Sequence, residues 1–360
     1  MGVFLFTRAM AVKESQLDVR VAAVWFGRGE EQVKAGELET ATESFRNAAS
    51  RDRDKPEYEL ALANTLAVAG HNLEARQTLL RMRESNPENA EINIYLARLE
   101  AKAGELAQAE SYYHNALYGR WTGSQIDRER RQVRVELIHF LLDHGNRSAA
   151  LPELLILSTE IPETDREAQI ETGQLLLQAG DPQHALECFN RALALDRHNA
   201  DALVGGGEAA FLLGDYAQAQ RLLEAALVQR PDSQPATEKL ALARIILAND
   251  AMAPHLSREE RNQRIIIDFK AALDRLHRCS VQSRGQNSGA GASVESLNSE
   301  AFAMRSKLNP ENLHHDSELV RSCMELIFKI EESTNDHCGK PTDLDQALLL
   351  IGKKHEGALR

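Results

Sequence analysis

Apolar residues recur through most of the chain at intervals of three and four positions, the spacing that places them on one face of an α-helix. In the stretch GELETATESFRNAASRD, Ala41, Phe45 and Ala48 share such a face. Gly36, at the start of this stretch, stands where a helix can end in a left-handed residue with least strain. The pattern therefore predicts a succession of amphipathic helices that are joined by short turns.

This arrangement of a glycine, an alanine and further apolar residues occurs six times. In each copy the alanine follows the glycine by five residues, and the glycines are Gly36, Gly70, Gly104, Gly145, Gly180 and Gly214. Most steps are 34 or 35 residues long, and the longer step from Gly104 to Gly145 indicates an insertion near TGSQIDR. One pair of helices cannot bury its own apolar face, whereas stacked copies form a continuous core.

The repeating residues resemble the tetratricopeptide repeat family, which has a period of 34 residues, two helices per repeat and the pattern W-x2-L-G-x2-Y…A-x3-F…P. The resemblance extends from about Ala22 to Leu247, and the matching residues are Trp25, Gly29, Leu62, Ala63, Leu66, Thr172, Gly173, Leu176 and Gly207. Arg53, Trp121 and Arg197 depart from the family where it often has proline. The resemblance implies an all-α fold, an α-solenoid of tetratricopeptide-type helix hairpins that form a right-handed superhelix, with a C-terminal helical extension.

Changes in composition predict where the repeats begin and end. Residues 1–21 are either an N-terminal helix or the stub of a membrane anchor that begins upstream, because the apolar run Val3–Phe6 is too short for a span. Ser257 and Glu260 form a capping box that opens an amphipathic helix. The predicted segments are repeats over 22–248 (22–55, 56–89, 90–123, 131–164, 166–199, 200–233 and a trailing helix 234–248), an extension helix 249–279, a flexible linker 280–296 and a C-terminal helical region 297–360.

The net charge and the cysteines indicate what kind of partner the chain binds and bear on its cellular compartment. The net charge of −12 disfavours nonspecific binding to nucleic acid and favours a protein partner with basic residues. The four cysteines, Cys188, Cys279, Cys323 and Cys338, contain no C-x-x-C pair. We expect Cys188, beside Phe189, to be a buried thiol, and no disulfide, with a disulfide among the other three the alternative if the protein is exported. The compartment stays open, with the cytoplasm slightly favoured and association with the cell envelope the alternative if an anchor lies upstream.

The residues that are capable of chemistry lack the spacing that catalysis or metal binding requires. No strand precedes Gly205–Gly207 and no Lys-Ser or Lys-Thr pair follows, so these glycines are not a phosphate loop. Gly207 is the small residue of the family's pattern, and the pattern leaves Gly205 and Gly206 unexplained. The C-terminal His314, His315, Asp316, His337 and Cys338 do not have zinc-ligand spacing. We therefore expect no catalytic residue, no cofactor, no metal and no membrane span.

The residues of each first helix that point away from its second helix predict a groove. This groove is apolar along its middle and acidic at one edge, which suits an amphipathic segment with basic flanks. Phe26, Leu60 and Ile94 stand where a clamp for a terminal carboxylate would need Lys or Arg. The alternative that part of this stripe is core between repeats stays open. The predicted groove residues are Phe26, Glu30, Glu57, Leu60, Asn64, Glu91, Ile94, Arg98, Val135, His139, Ile170, Gln174, Val204, Glu208 and Phe211.

The sequence therefore predicts a non-catalytic protein–protein interaction scaffold that binds a peptide or helix of a partner in its groove. Two alternatives stay open. In one, the C-terminal helices complete the site of an enzyme or of a metal-binding assembly. In the other, the C-terminal helices occupy the groove until a partner displaces them.

Overall fold

A computed structural model describes residues 2–283 and 290–359 of the chain. Within these residues, all the regular secondary-structure elements are α-helices. The only strand-type pairing in this part of the chain is a single bridge between Asn89 and Arg120. The helices are α1 (Gly2–Lys34), α2 (Leu38–Arg51), α3 (Pro56–Ala69), α4 (Asn72–Ser85), α5 (Ala90–Ala103), α6 (Leu106–Leu117), α7 (Ile126–Asp143), α8 (Arg147–Glu160), α9 (Arg166–Ala179), α10 (Pro182–Leu195), α11 (Ala200–Leu212), α12 (Tyr216–Gln229), α13 (Gln234–Asn249), α14 (Arg258–Ser283), α15 (Ala290–Lys307), α16 (Pro310–His315), α17 (Ser317–His337) and α18 (Asp343–Leu359). The expected all-α repeat fold is confirmed.

The chain divides into two compact units, Met1–Glu160 and Ile161–Arg360. In the first unit, α1 to α8 form helix hairpins, each packed against the next in chain order. The turns inside the hairpins reverse the chain at glycine, and Gly70 and Gly104 have φ angles of +91° and +81°. These angles lie in the left-handed region that side chains disfavour, so the recurring glycine is the residue that ends each first helix.

The fourth hairpin of the first unit absorbs the insertion that the sequence indicates. Its first helix, α7, begins at Ile126, before the predicted repeat start at residue 131, and is longer than the other first helices that follow α1. Inside this hairpin, buried Arg134 and Glu153 form an ion pair, and Glu160 lies 3.3 Å from the same guanidinium. The carboxylates satisfy a charge that would otherwise be costly to bury.

The second unit contains further hairpins, α9 with α10 and α11 with α12, followed by α13. Phe189 of α10 is fully buried and is directed at the glycines of both first helices. A Cβ atom built on Gly205 would lie 2.3 Å from the Phe189 ring, and one on Gly173 would lie 2.9 Å away. Gly205 is therefore required because the ring occupies the space of its side chain. Gly206 is less constrained, since a Cβ there would make ordinary contacts of 3.4 Å or more.

Helices α14 to α18, called here the C-terminal bundle, have their own core in the second unit. Ile265, Leu276, Ile327 and Ile351 are buried in a cluster that also includes Ile246 of α13. The capping box at α14 is present, since the Glu260 amide donates to Ser257 Oγ at 3.2 Å and Glu260 Oε2 accepts from the Ser257 amide at 3.0 Å. The bundle thus continues the core of the last repeat helix.

Two expectations about this region are wrong. Residues 280–283 belong to α14 and residues 290–296 to α15, so the predicted linker 280–296 is helical on both sides of residues 284–289, which lie outside the described residues. Buried Val294 and Leu297 hold α15 against the bundle. Cys279 and Cys338 form a disulfide, which is the alternative that the sequence did not favour, because α14 and α17 pack side by side and bring their ends together.

The first helix, α1, runs without a break from Gly2 to Lys34, through the predicted segment boundary at residues 21 and 22. Among the described residues, no helix combines the length and the apolar character that crossing a membrane requires.

Candidate functional site

The predicted groove residues of the first unit lie on α1, α3, α5 and α7 and form what we call the first wall. The side chains of Glu30, Asn64 and His139 are exposed, and those of Phe26 and Val135 are partly exposed. Phe26 packs against the rings of Phe45 and Tyr58, with centroids 5.4 and 4.7 Å away. The Phe26 ring therefore contributes partly to the core of the first hairpins.

Leu60 and Ile94 do not face an open surface. Their exposed fractions are 7% and 5%, because neighbouring first and second helices cover them. Leu60 belongs to one core cluster with Leu96 and Leu99 of α5. Neither residue is therefore an accessible anchor for a partner.

Charged groups on the first wall are paired with one another. The Arg98 guanidinium donates to both carboxylate oxygens of Glu136, at 2.9 and 2.6 Å, and lies over the ring of Tyr95. The hydrogen bond to Glu136 raises the pKa of Arg98, so the cation is fixed in place. Glu57 lies 3.7 Å from Lys55, and Glu91 accepts a hydrogen bond of 3.4 Å from Thr122. The acidic edge predicted for this wall is therefore partly neutralised.

The predicted groove residues of the second unit, Ile170, Gln174, Val204, Glu208 and Phe211, lie on α9 and α11 and form what we call the second wall. Gln174 is exposed and the other four are partly exposed. Gln174, Val204 and Glu208 together line a surface cavity of about 470 Å³, called here the α11 cavity. Its full lining is Gln174, Leu177, Asp201, Val204, Gly205, Glu208, Arg230, Asp232, Ser233, Gln234 and Pro235.

The α11 cavity has an apolar part and a charged rim. Leu177, Val204 and Pro235 supply apolar surface, and the backbone of Gly205 lies beside Val204 in the lining. On the rim, the Arg230 guanidinium donates to Asp201 at 2.9 Å. Lys239 Nζ lies 3.1 Å from Glu208 Oε1. The rim therefore carries carboxylates whose negative charge is partly compensated by neighbouring cations. The floor of the cavity is suited to an apolar side chain.

Phe211, at the C-terminal end of α11, has a different environment from the rest of the second wall. Its ring packs edge-on against Tyr216 at 5.2 Å and lies against a buried cluster to which Tyr216, α13 and the C-terminal bundle all contribute. Lys354 of α18 lies over the Tyr216 ring at 5.5 Å. The bundle therefore reaches Tyr216 beside Phe211, whereas every residue that lines the α11 cavity lies between Gln174 and Pro235.

Sequence reasoning on the first helices missed half of the rim of this cavity. Arg230, Asp232, Ser233 and Pro235 come from the turn between α12 and α13 and from the start of α13. The signal that could have found them is the polar, proline-containing turn RPDSQP that follows α12, since this turn contributes to the cavity lining beside α11.

Histidine, cysteine and carboxylate side chains do not converge on a metal site in the part of the chain that the structure describes. His314 and His315 are exposed neighbours on the short helix α16. Cys338 is bonded to Cys279 and is therefore not a free thiolate ligand.

Family models described as tetratricopeptide repeat match two parts of the chain, residues 60–124 and residues 176–245. Together with the repeated helix hairpins, these matches show that the chain belongs to the tetratricopeptide repeat family. Its general class of function is that of a protein-interaction scaffold, and proteins of this class are generally non-catalytic. No curated protein sequence matches the chain.

Several solved structures are similar to this chain. YrrB, a tetratricopeptide repeat protein with a peptide-binding site, has 20% identity and a TM-score of 0.44 over 55% of this chain and 97% of its own. PilF of Pseudomonas aeruginosa has 16% identity and a TM-score of 0.42 over 62% of this chain and 98% of its own. The type IV pilus biogenesis factor PilW has 20% identity and a TM-score of 0.40 over 61% of this chain and 98% of its own. At these values the likenesses carry no argument about what this chain binds.

Proposed function

We propose that the chain is a non-catalytic scaffold that captures a peptide or helix of a partner protein on the second wall, with the α11 cavity as the anchoring site. The observation that carries this proposal is the convergence of three helices, α9, α11 and α13, on one cavity of about 470 Å³. Such a concave, partly apolar site with a few polar groups is suited to one or two partner side chains.

The lining of the cavity indicates the chemistry of the partner segment. An apolar side chain fits against Leu177 and Val204, where it would remove apolar surface from water. Lys or Arg beside that anchor would meet Asp201, Glu208 and Asp232 at the rim. Because Arg230 and Lys239 already compensate two of these carboxylates, we expect the basic flanks to contribute more to specificity than to affinity.

The position of the C-terminal bundle supports a capping role and not occupation of the α11 cavity. The bundle packs on α13 and reaches Tyr216 at the start of α12, while the cavity is lined only by residues that precede α14. A repeat stack needs such a cap, because its last helix would otherwise expose an apolar face.

The test begins with a phage-displayed random peptide library selected on the immobilised full chain. We expect the enriched peptides to share an apolar residue with Lys or Arg beside it. Val204→Glu places a charge on the apolar floor, and we expect it to weaken binding of a selected peptide by tenfold or more, which corresponds to about 1.4 kcal/mol. Fluorescence anisotropy with the synthetic peptide measures the dissociation constant.

The matched control is Val228→Glu, which makes the same substitution at a 76% exposed valine on α12 and away from the cavity lining. Val228→Glu should bind the peptide as the native chain does. Gln174→Lys tests the charge preference at an exposed position of the rim, and it should weaken a basic peptide. Equal binding by the Val204→Glu and Val228→Glu variants, or no enriched peptide, would contradict the proposed site.

A further inference from the structure

The disulfide of the C-terminal bundle joins helices that are distant in sequence. Cys279 lies near the end of α14 and Cys338 directly follows α17, with 59 residues of separation and 5.3 Å between their Cα atoms. Both cysteines are buried. The bond therefore closes a long loop inside the core of the bundle, where loop closure restricts the unfolded chain strongly.

The residues around the bond hold the start of α18 in place. Buried Arg275, one turn before Cys279 on α14, donates to the carbonyl oxygens of Cys338 at 2.6 Å, Gly339 at 3.0 Å and Lys340 at 3.2 Å. Arg275 also lies 3.8 Å from Asp345 at the start of α18. The segment that carries Cys338 is thus fixed to α14 both covalently and by hydrogen bonds.

This fixed segment leads directly into the helix that covers the last repeat helix. Helix α18 packs on α13, and its Lys354 and His355 lie 3.2 and 3.0 Å from buried Asp250 at the end of α13. Loss of the bond would leave this segment held to α14 only by the hydrogen bonds of Arg275 and the ion pairs of Asp345. The disulfide therefore helps to keep α18 packed on α13, so that the apolar face of α13 stays covered.

We propose that oxidation of Cys279 and Cys338 is a required maturation step of this chain, which completes the C-terminal bundle and takes place in an oxidising compartment. The two thiols lose two protons and two electrons as the S–S bond forms. A thiol–disulfide oxidant accepts the electrons: its disulfide is attacked by one cysteine thiolate, the mixed disulfide is resolved by the other cysteine, and the oxidant leaves as a dithiol.

The burial of both sulfurs makes the bond a constitutive feature and not a reversible switch. A reducing thiolate must reach a sulfur atom to exchange with it, and the folded bundle denies that access. The bond must likewise form before the bundle closes. Burial raises the pKa of Cys188 to about 11 and that of Cys323 to about 12, so neither competes as a thiolate once the chain is folded.

The disulfide also bears on the cellular compartment in which the chain is located. Stable disulfides persist in secreted, periplasmic and lumenal proteins and are rare in the reducing cytosol. The bond therefore favours an extracytoplasmic compartment over the cytoplasm, which the sequence alone slightly favoured.

Peptide mapping tests the bond directly in the full chain exported to a bacterial periplasm. The protein is denatured with an alkylating agent and no reductant, then digested with trypsin. We expect residues 279–284 and residues 330–353 as one linked species, two hydrogen atoms lighter than the sum of the two thiol peptides, with Cys188 and Cys323 alkylated. Alkylation of both Cys279 and Cys338 in the exported protein would overturn the proposal.

A pair of double variants tests whether the bond is required. Cys279→Ala with Cys338→Ala should lower the melting temperature of the bundle by roughly 10 °C and speed amide hydrogen exchange in α18. The matched control, Cys188→Ala with Cys323→Ala, keeps the bond and should leave α18 exchange unchanged. Equal α18 exchange in the two double variants would show that the bond is dispensable. If the first variant fails to fold while the control folds, the requirement is supported.

Discussion

Within the described residues, the C-terminal bundle buries a carboxylate without a hydrogen-bond partner, Asp268, whereas the buried Arg134 and Glu153 of the repeats form an ion pair. The cores of the repeats consist mainly of alanine, leucine and aromatic residues, with Ala185, Phe189 and Ala192 of α10 as an example, and each helix packs chiefly on its neighbours in sequence. The bundle buries Asp268, Arg275, Glu331 and Asp345 among its apolar residues, and its α14 packs against α15, α16, α17 and α18.

The buried charges therefore affect stability differently in the two regions. In the repeats, stability follows chiefly from apolar area and close packing between adjacent helices, and carboxylates compensate the buried Arg134. In the bundle, buried charges without a close partner are costly, and the disulfide adds stability by closing a long loop. Substitutions of Arg275 or Asp268 should therefore have mainly electrostatic effects, and substitution of Gly205 a mainly steric effect.

The largest expected effect is that of Arg275→Ala in the bundle. Arg275 is buried, donates to the carbonyls that follow α17 and compensates buried Asp345. Its removal leaves a buried carboxylate with less compensation, and breaking such a pair costs about 3–5 kcal/mol. The free energy of unfolding from chemical denaturation, followed by a probe in the bundle, measures this loss.

Arg278→Ala is the matched control, because Arg278 also contacts Asp345, at 3.0 Å, but its side chain is about half exposed. We expect it to cost no more than about 1 kcal/mol, since solvent screens exposed pairs. Equal losses for the two variants would contradict the importance assigned to burial.

The next effect is a dependence of bundle stability on pH. Burial raises the pKa of Asp268 to about 8 and that of Glu331 to about 8, well above the ordinary values of these carboxyls. Neither carboxylate oxygen of Asp268 has a hydrogen-bond partner within the described residues. The folded state therefore retains protons that the unfolded state has lost, and stability falls as the pH rises from about 4 to about 8, by at most about 1.4 kcal/mol per pH unit for each group.

Denaturation at pH 6 and at pH 8 measures this slope, and Asp268→Asn should reduce it. The asparagine side chain stays neutral at both pH values, so the variant gains stability relative to the native chain as the pH rises. A slope that is unchanged in Asp268→Asn, or a native chain that becomes more stable between these pH values, would show that Asp268 is ionised in the folded state.

The smallest of these effects is steric and lies in the repeats. In Gly205→Ala the new methyl group meets the buried Phe189 ring, and overpacking of this kind costs about 1–3 kcal/mol. Gly206→Ala, its neighbour in the same helix, meets no contact closer than 3.4 Å and should gain up to about 1 kcal/mol from helix propensity. Thermal unfolding of the two variants measures the difference. A Gly205→Ala variant as stable as Gly206→Ala would mean that Phe189 can move aside.

Much of the repeat region could be predicted from the sequence because its contacts are local and periodic. The glycine spacing predicts the hairpins, and the repeat register groups Gln174, Val204 and Glu208 before any contact is known. The register does not reveal how deeply a neighbour covers each position. Leu60 and Val204 have the same register, yet Leu60 is buried among large side chains, whereas Val204 is partly exposed in the lining of the α11 cavity.

The bundle was harder to predict because its pairings join distant residues. Nothing near Cys279 in the sequence indicates Cys338, since the partner depends on how α14 and α17 pack. The same holds for Arg275, whose acceptors lie 59 to 65 residues away along the chain. The glycine triplet was unexplained for a similar reason, because the ring that requires Gly205 lies on another helix.

The proposed function depends on partner capture at the second wall. Hydrogen–deuterium exchange of the full chain, with and without a peptide selected on it, measures where that peptide binds. We expect slower exchange in α11, in the C-terminal half of α9 and at the start of α13, with α12 and the C-terminal bundle unchanged. Protection confined to α12 or to the bundle, with α11 unaffected, would contradict it.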